Sequence, residues 1–400
     1  GKIGWRFPPL FGGTRQTYTS NDIEGFKGEE LIDNIAREIC QNSLDAKNKK
    51  LNKPVEIVYE LKHIPVQQYK AIREYQKCLE GCYAYWGNEM DNRLSDFLKE
   101  AEAAITQDIV SVLIVSDYNT TGLNGICGKK LFSPWEALTG SDGMSVKDSK
   151  DSSGSYGIGK NAPFACSSLS MVFYNTKVDE GQAFIGVARL ATLKDENGRA
   201  TQRVGKYQNN DDENEIWKPL YEDDEDDFRK LVNRKENGTD VIIVGFNQED
   251  HWMDNIEKAI LKNFFVSIQE RKLVVKFIEG NNVKYIDSTN IASRISFYKD
   301  KPKMAETYQM YMAFTEPSEH SQLSVLRDSL GESNNIDVYI KADSSYKKTI
   351  GNFRSTGMLV GTYYRRIFQH YAAVVIVRGE KLGELLKKQN LRVITDGIIN

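Results

Sequence analysis

The chain has 400 residues, 40% hydrophobic and 27% charged, with a formal net charge of −3. That balance is ordinary for a globular protein of two or three domains, and it gives no reason to expect nucleic acid as an obligatory partner. Five cysteines (Cys40, Cys78, Cys82, Cys127, Cys166) without a CxxC pair and four scattered histidines disfavour zinc, and they fit reduced thiols in the cytoplasm. No apolar run approaches about 18 residues, so no membrane span is expected. The chain opens on Gly1 and ends on Asn400 without a recognisable signal, so further sequence is expected on both sides.

In chain order, residues 1–28 mix Gly, Pro and aromatics (Trp5, Phe7, Phe11, Tyr18, Phe26) without a period and read as an irregular arm packing by its rings. Residues 29–50 follow a helical period, with Ile32, Ile35, Ile39 and Ala46 on one stripe. Residues 54–64 alternate through Val55, Ile57, Tyr59 and Leu61 as a half-buried strand. Residues 66–104 read as two helices broken near Gly87 and Asn88. The run IVSVLIVS at 109–116 is a buried strand leading straight into Asp117. Residues 118–161 are rich in Gly, Ser, Thr and Asn with little periodicity, a long loop of the kind that is functional or disordered. Strands follow at 169–174 and 183–190, then an acidic, solvated insertion at 209–227. A buried strand at 241–246, a helix at 253–270 and a strand at 273–278 close the first unit. The last 120 residues read as a smaller α/β unit with a soft boundary near 280. Its strands are expected at 310–314, 336–340 and 373–377, with a helix at 380–388.

Four stretches carry chemistry. On the first helix Glu38, Asn42 and Asp45 stand at i, i+4 and i+7 and share a stripe beside the apolar one. A carboxylate there can orient or deprotonate a water, and an amide oxygen one turn on can ligate a hard cation such as Mg²⁺. Asp117 ends a buried strand in DYNTTGLNG, placed to accept from an exocyclic amine such as that of adenine, and Gly122 lets the backbone approach a ligand. In SSGSYGIGKNAPF, Gly154, Gly157 and Gly159 have GxxGxG spacing and precede Lys160. Inward-turned N–H groups, a lysine and a helix starting near Asn161 would suit phosphate. The same residues satisfy GxxxxGK, but Asn161 stands where a P-loop needs Ser or Thr, and MSVKDSKDSS cannot be its buried strand. Last, Gly238–Thr239–Asp240 leads into VIIVGF, where Thr239 can bond an adenine ring or a bridging water.

ExxxNxxDA, then Asp117 after a strand, then GxxGxG, then GT before a strand, resembles the GHKL ATPase superfamily over about residues 20–250. That superfamily includes DNA gyrase B, MutL, the large heat-shock chaperones, histidine kinases and MORC-type ATPases. The resemblance implies a Bergerat fold, a two-layer α/β sandwich with helices on one face of a mixed sheet, over residues 1–280. A smaller, transducer-like α/β domain would follow at 281–400. It implies ATP and Mg²⁺ as ligands, Glu38 as general base, Asn42 as metal ligand and Asp45 in support. Asp117, helped by Thr239, would take the adenine amine, with Asn119 and Gly122 shaping the turn beside it. Gly154, Gly157, Gly159 and Lys160 would hold phosphates. The second box departs from the usual DxGxG: Asn119 and Thr121 occupy the glycine positions, and Gly122 comes one residue late.

NTTGL, SYGIGKNAPF and the later NFF and GML segments look closest to prokaryotic MORC-like ATPases found beside nuclease or phage-defence genes. The implied protein hydrolyses ATP and uses lid closure over residues 124–159, or homodimerisation, to control a protein partner or DNA. The alternatives are a non-hydrolysing ATP sensor, against which Glu38 speaks, and a histidine-kinase-like phosphotransferase. For the latter no acceptor histidine precedes residue 29. Basic pairs at Lys347–Lys348, Arg365–Arg366 and Lys387–Lys388 are candidates to face DNA, and Lys348 or Arg354 to reach a γ-phosphate.

Overall fold

The computed structural model describes residues 2–18, 28–128, 133–140, 156–215, 217–327, 333–366, 369–379 and 381–384. Phe26, Gly154, Lys387, Lys388, most of the expected helix at 380–388 and segments 129–132 and 141–155 of the expected lid lie outside them. In chain order the elements begin with β1 (Ile3–Arg6), α1 (Glu29–Asp45), β2 (Val55–Pro65), α2 (Lys70–Trp86), α3 (Asn92–Ile105) and β3 (Ile109–Tyr118). Next come α4 (Pro134–Thr139), α5 (Tyr156–Ala165), β4 (Ser167–Val178), β5 (Gly181–Arg189), β6 (Val204–Asn209) and β7 (Gly238–Phe246). Then follow α6 (Trp252–Gln269), β8 (Leu273–Glu279), β9 (Asn282–Ile286), α7 (Ile291–Tyr298) and α8 (Ala305–Thr315). The chain closes with β10 (Glu319–Arg327), β11 (Ser333–Ala342), β12 (Thr349–Phe353), β13 (Leu359–Tyr363) and β14 (Tyr371–Arg378).

Nine strands form one mixed sheet in the order β1-β6-β5-β4-β7-β3-β2-β8-β9, antiparallel except where β2 meets β8. On one face lie α1, α5 and α6. Ile32, Ile35, Ala36 and Ile39 of α1 join Ile57, Tyr59, Leu113 and Val115 of the sheet in one core. Each fully buried Ile, Leu or Val among them contributes about 1.5–3 kcal/mol. The expected helical layer is therefore there, and the opposite face carries helices as well. Tyr75 and Leu79 of α2 and Leu94 and Leu98 of α3 pack on Val112, Ile114, Met171 and Phe173. This double cover explains why β3 reads as an unbroken apolar run: Val112 and Ile114 serve one core, Leu113 and Val115 the other.

The N-terminal arm is less irregular than its composition predicts. Ile3–Arg6 pairs antiparallel with β6, and Trp5 lies against Tyr75, Phe173 and Tyr207. The acidic insertion is exposed at 211–215 but anchored at its ends, where Tyr207 donates to Asp226 and Asn209 to Asp224. The expected strand at 310–314 is part of helix α8. MYMAF holds no β-branched residue, and Met and Ala favour a helix.

The sheet runs past residue 280, since β9 pairs with β8 as far as Ile286. The second sheet has the order β10-β11-β14-β12-β13, with β12 parallel to β14. One of its faces sends Phe353, Leu359, Val374 and Ile376 into the same core as α1 and α6; Val338, Ile350 and Val375 build a small core on the other.

Candidate functional site

Asp117 sits near the end of β3, 6% exposed, with every close partner a donor. Its Oδ2 accepts from Ser43 Oγ of α1 at 2.8 Å, while Oδ1 accepts from Thr120 Oγ1 at 2.8 Å and from the Thr239 N–H of β7 at 2.7 Å. Three of the four sequence stretches thus meet on one carboxylate. Thr239 lies inside β7 rather than before it, its hydroxyl 3.1 Å from that of Thr176, which also receives the Leu123 N–H.

Behind the carboxylate lies Arg234, which belongs to no motif in the chain. Its side chain is 2% exposed. Nε donates to Asp240 at 2.8 Å, Nη2 donates to the Asp117 carbonyl and stands 3.9 Å from Asp117 Oδ1, and the guanidinium covers the Tyr118 ring. Burial raises the Asp117 pKa; the Arg234 charge and the Thr239, Ser43 and Thr120 hydrogen bonds oppose that rise.

The departure from DxGxG resolves in the backbone. Asn119 takes φ +63°, the left-handed conformation a glycine would supply and asparagine tolerates best among ordinary residues. Its Nδ2 donates to the Pro54 carbonyl at 2.8 Å. Gly122 has φ +72°, and a side chain there would run into the Lys177 carbonyl. The Thr121 N–H donates to Ala46 O at 2.8 Å and the Asn48 N–H to Asn119 O at 3.0 Å, so this turn is fastened to the chain leaving α1.

The other half of the site lies along α1. Glu38 is half-buried; Asn42 and Asp45 are exposed. Burial raises the Glu38 pKa, Asn42 lowers it by hydrogen bonding, the Arg354 and Arg37 charges lower it further, and Asp45 raises it. Asp45 Oδ1 accepts from Gln41 at 2.6 Å. Of the two cations expected near a γ-phosphate, Arg354 is therefore the one within electrostatic reach of Glu38. Lys348 lies at a different concavity, with Tyr364 and Arg366.

Arg354 arrives on the turn between β12 and β13. Arg37 Nη1 donates to Leu359 O and to Asn263 Oδ1, each at 2.8 Å. Ser267 Oγ donates to Thr356 O at 2.6 Å, and Lys272 Nζ to Ser355 O at 2.7 Å. Gly357 has φ +93° and presses on Ser267 where no side chain fits.

Gly157, Gly159 and Lys160 fall within α5, which begins at Tyr156 rather than near Asn161 and packs against α1. Asn161 accepts from Arg189, whose guanidinium lies 3.9 Å over the Phe164 ring. Pro163 lies inside this helix and has no N–H to give the carbonyl four residues back, that of Gly159.

Among the described residues, no group of three or more His, Cys, Asp or Glu is placed to hold a metal unaided. Asn42, exposed on α1, could supply a single amide oxygen, and Mg²⁺ is an ion that takes one or two protein ligands and keeps waters for the rest of its shell. No helix among the described residues is long and apolar enough to cross a membrane.

No family model and no curated protein matches the sequence. The structure overlaps the 43K ATPase domain of Thermus thermophilus gyrase B, solved in complex with an aminocoumarin, at 10% identity and TM-score 0.37, over 93% of this chain and 87% of that one. It overlaps the B-subunit of the DNA gyrase from Myxococcus xanthus at 11% identity and TM-score 0.35, over 92% and 88%.

Proposed function

We propose that this chain is an ATP-binding module of the GHKL type that hydrolyses ATP with Mg²⁺. The observation carrying the reading is the convergence on Asp117 of Ser43 from α1 and Thr239 from β7, which joins three distant sequence boxes at one buried acceptor. In this reading ionised Asp117 accepts from the exocyclic amine of adenine, and Thr239 supports the ring. Asn42 would hold Mg²⁺, which when bound offsets phosphate charge. Glu38 takes a proton from the water that attacks the γ-phosphorus; the bond to the β-phosphate oxygen breaks, giving ADP and phosphate. Gly154, Gly157, Gly159 and Lys160 serve the phosphates, with Arg354 as the cation from the second sheet and Asp45 in support.

The wider role, lid closure or homodimerisation controlling a protein partner or DNA, and a place in phage defence, rests on the sequence resemblance alone. Calorimetry of ATP against Asp117→Asn, with phosphate release from the parent chain, tests the core of the proposal. Undiminished affinity in the variant removes Asp117 from the site. Binding without release leaves a sensor. Sedimentation with and without an ATP analogue tests self-association.

A further inference from the structure

Two basic pairs stand well apart in sequence, and the topology of the second sheet brings them together. Strands β12 and β14 run parallel, with Thr349 opposite Ala372, so the chain entering each strand lies at the same end of the sheet. Lys347 and Lys348 precede β12, while Arg365, Arg366 and His370 precede β14. The two segments are hydrogen-bonded to each other: the Asp343 N–H donates to His370 O at 3.1 Å, and His370 Nδ1 lies 2.7 Å from Tyr346 O. Together they line a concavity of about 510 Å³ with Ser344, Ser345 and Tyr364. Among the described residues that line it, four are cations and none is a carboxylate, in a chain whose net charge is −3; Glu306 stands outside, at the rim. Tyr364 is 66% exposed, and its hydroxyl donates to Glu306 at 3.0 Å, which holds the ring at the rim.

The geometry points to this concavity as a binding site for single-stranded nucleic acid, separate from the nucleotide site and independent of that reading. Lysines supply point charges for phosphodiester oxygens, and arginines supply forked donors. An exposed tyrosine beside them offers a base its π-face, the combination that single-strand binders use. An acidic peptide would use the cations but leave the ring idle.

The test is fluorescence anisotropy of a labelled oligothymidylate with the full chain, in saturating ATP and Mg²⁺. With four cations each releasing about 0.7 counterion, the slope of log affinity against log salt is about −2.8, an affinity loss of about 50-fold between about 50 and 200 mM salt. Replacing Lys347→Gln and Arg366→Gln together should halve the slope. Tyr364→Ala should cost about tenfold at every salt concentration and leave the slope alone, because stacking releases no counterions. The site is overturned if the parent chain gives no anisotropy rise at low salt, if ATP displaces the oligonucleotide, or if the double variant keeps the parental slope. Competition by polyglutamate as effective as by unlabelled oligothymidylate, or an unaffected Tyr364→Ala, would overturn the nucleic-acid assignment.

Discussion

The two ends of the candidate site are built on different principles. At Asp117 the carboxylate is buried, with donors from α1, β7 and its own turn already in place and Arg234 sealed behind it. Along α1 the groups are half-buried or exposed, and the charges around Glu38 include one that arrives from the second sheet. One end is finished before any ligand arrives; the other is assembled from parts of two sheets. Recognition of a base needs fixed donors and acceptors, because an unpaired buried polar group costs about 1–3 kcal/mol and so rejects the wrong partner. Handling a water and a phosphate needs groups that solvent and a metal can still reach.

The contrast can be broken hardest at Arg234. Arg234→Met leaves Asp117 and Asp240 buried without their shared cation, so urea unfolding should show a loss of about 3–5 kcal/mol. A loss below about 1 kcal/mol would mean that the finished end does not depend on its ion pairing. At the open end, Glu38→Ala should keep ATP affinity while phosphate release slows about 10²-fold, the scale of a positioned base. Parental turnover would dismiss Glu38 as the base.

Asp117→Asn should weaken ATP binding about tenfold by calorimetry, since a charged acceptor is lost while the donors remain. If Asp117 is the acceptor proposed above, only its ionised form binds the amine, and burial raises its pKa. Affinity should therefore hold above that raised pKa and fall as pH drops through it, at a higher pH than an ordinary aspartate would set. The smallest effect is expected from Arg354→Ala. Removing a charge that lowers the Glu38 pKa should move the acidic limb of the hydrolysis profile to higher pH; an unmoved limb would separate the second sheet from the chemistry.

Sequence reasoning reached the parts of this site that announce themselves locally. The α1 stripe shows because Glu38, Asn42 and Asp45 border an apolar period, and Asp117 shows because it ends the run from Ile109. Arg234 was invisible, since its contact with the Asp117 carbonyl spans 117 residues and RKENGTD reads as an ordinary charged turn. Ser43 and Thr176 were missed for the same reason: a lone hydroxyl has no periodicity to reveal which carboxylate or amide it will meet. The glycines misled in the other direction. YGIGK reads as a loop by composition, yet the backbone of Tyr156–Ala165 is helical. In the second sheet the strands at β11 and β14 were legible from their β-branched residues, whereas the arm's short β1 depends on a partner strand some 200 residues away.

The bond from Arg37 to the Leu359 carbonyl joins groups 322 residues apart. A ribosome adding about 5–20 residues per second finishes α1 roughly 15–65 s before the turn that caps it has been made. Throughout that interval the flank of α1 destined for β13 faces the cell unprotected. Until then the Arg37 guanidinium has water in place of the Leu359 carbonyl. A slow codon run or a cold shock would lengthen that exposure without changing a single contact of the finished molecule.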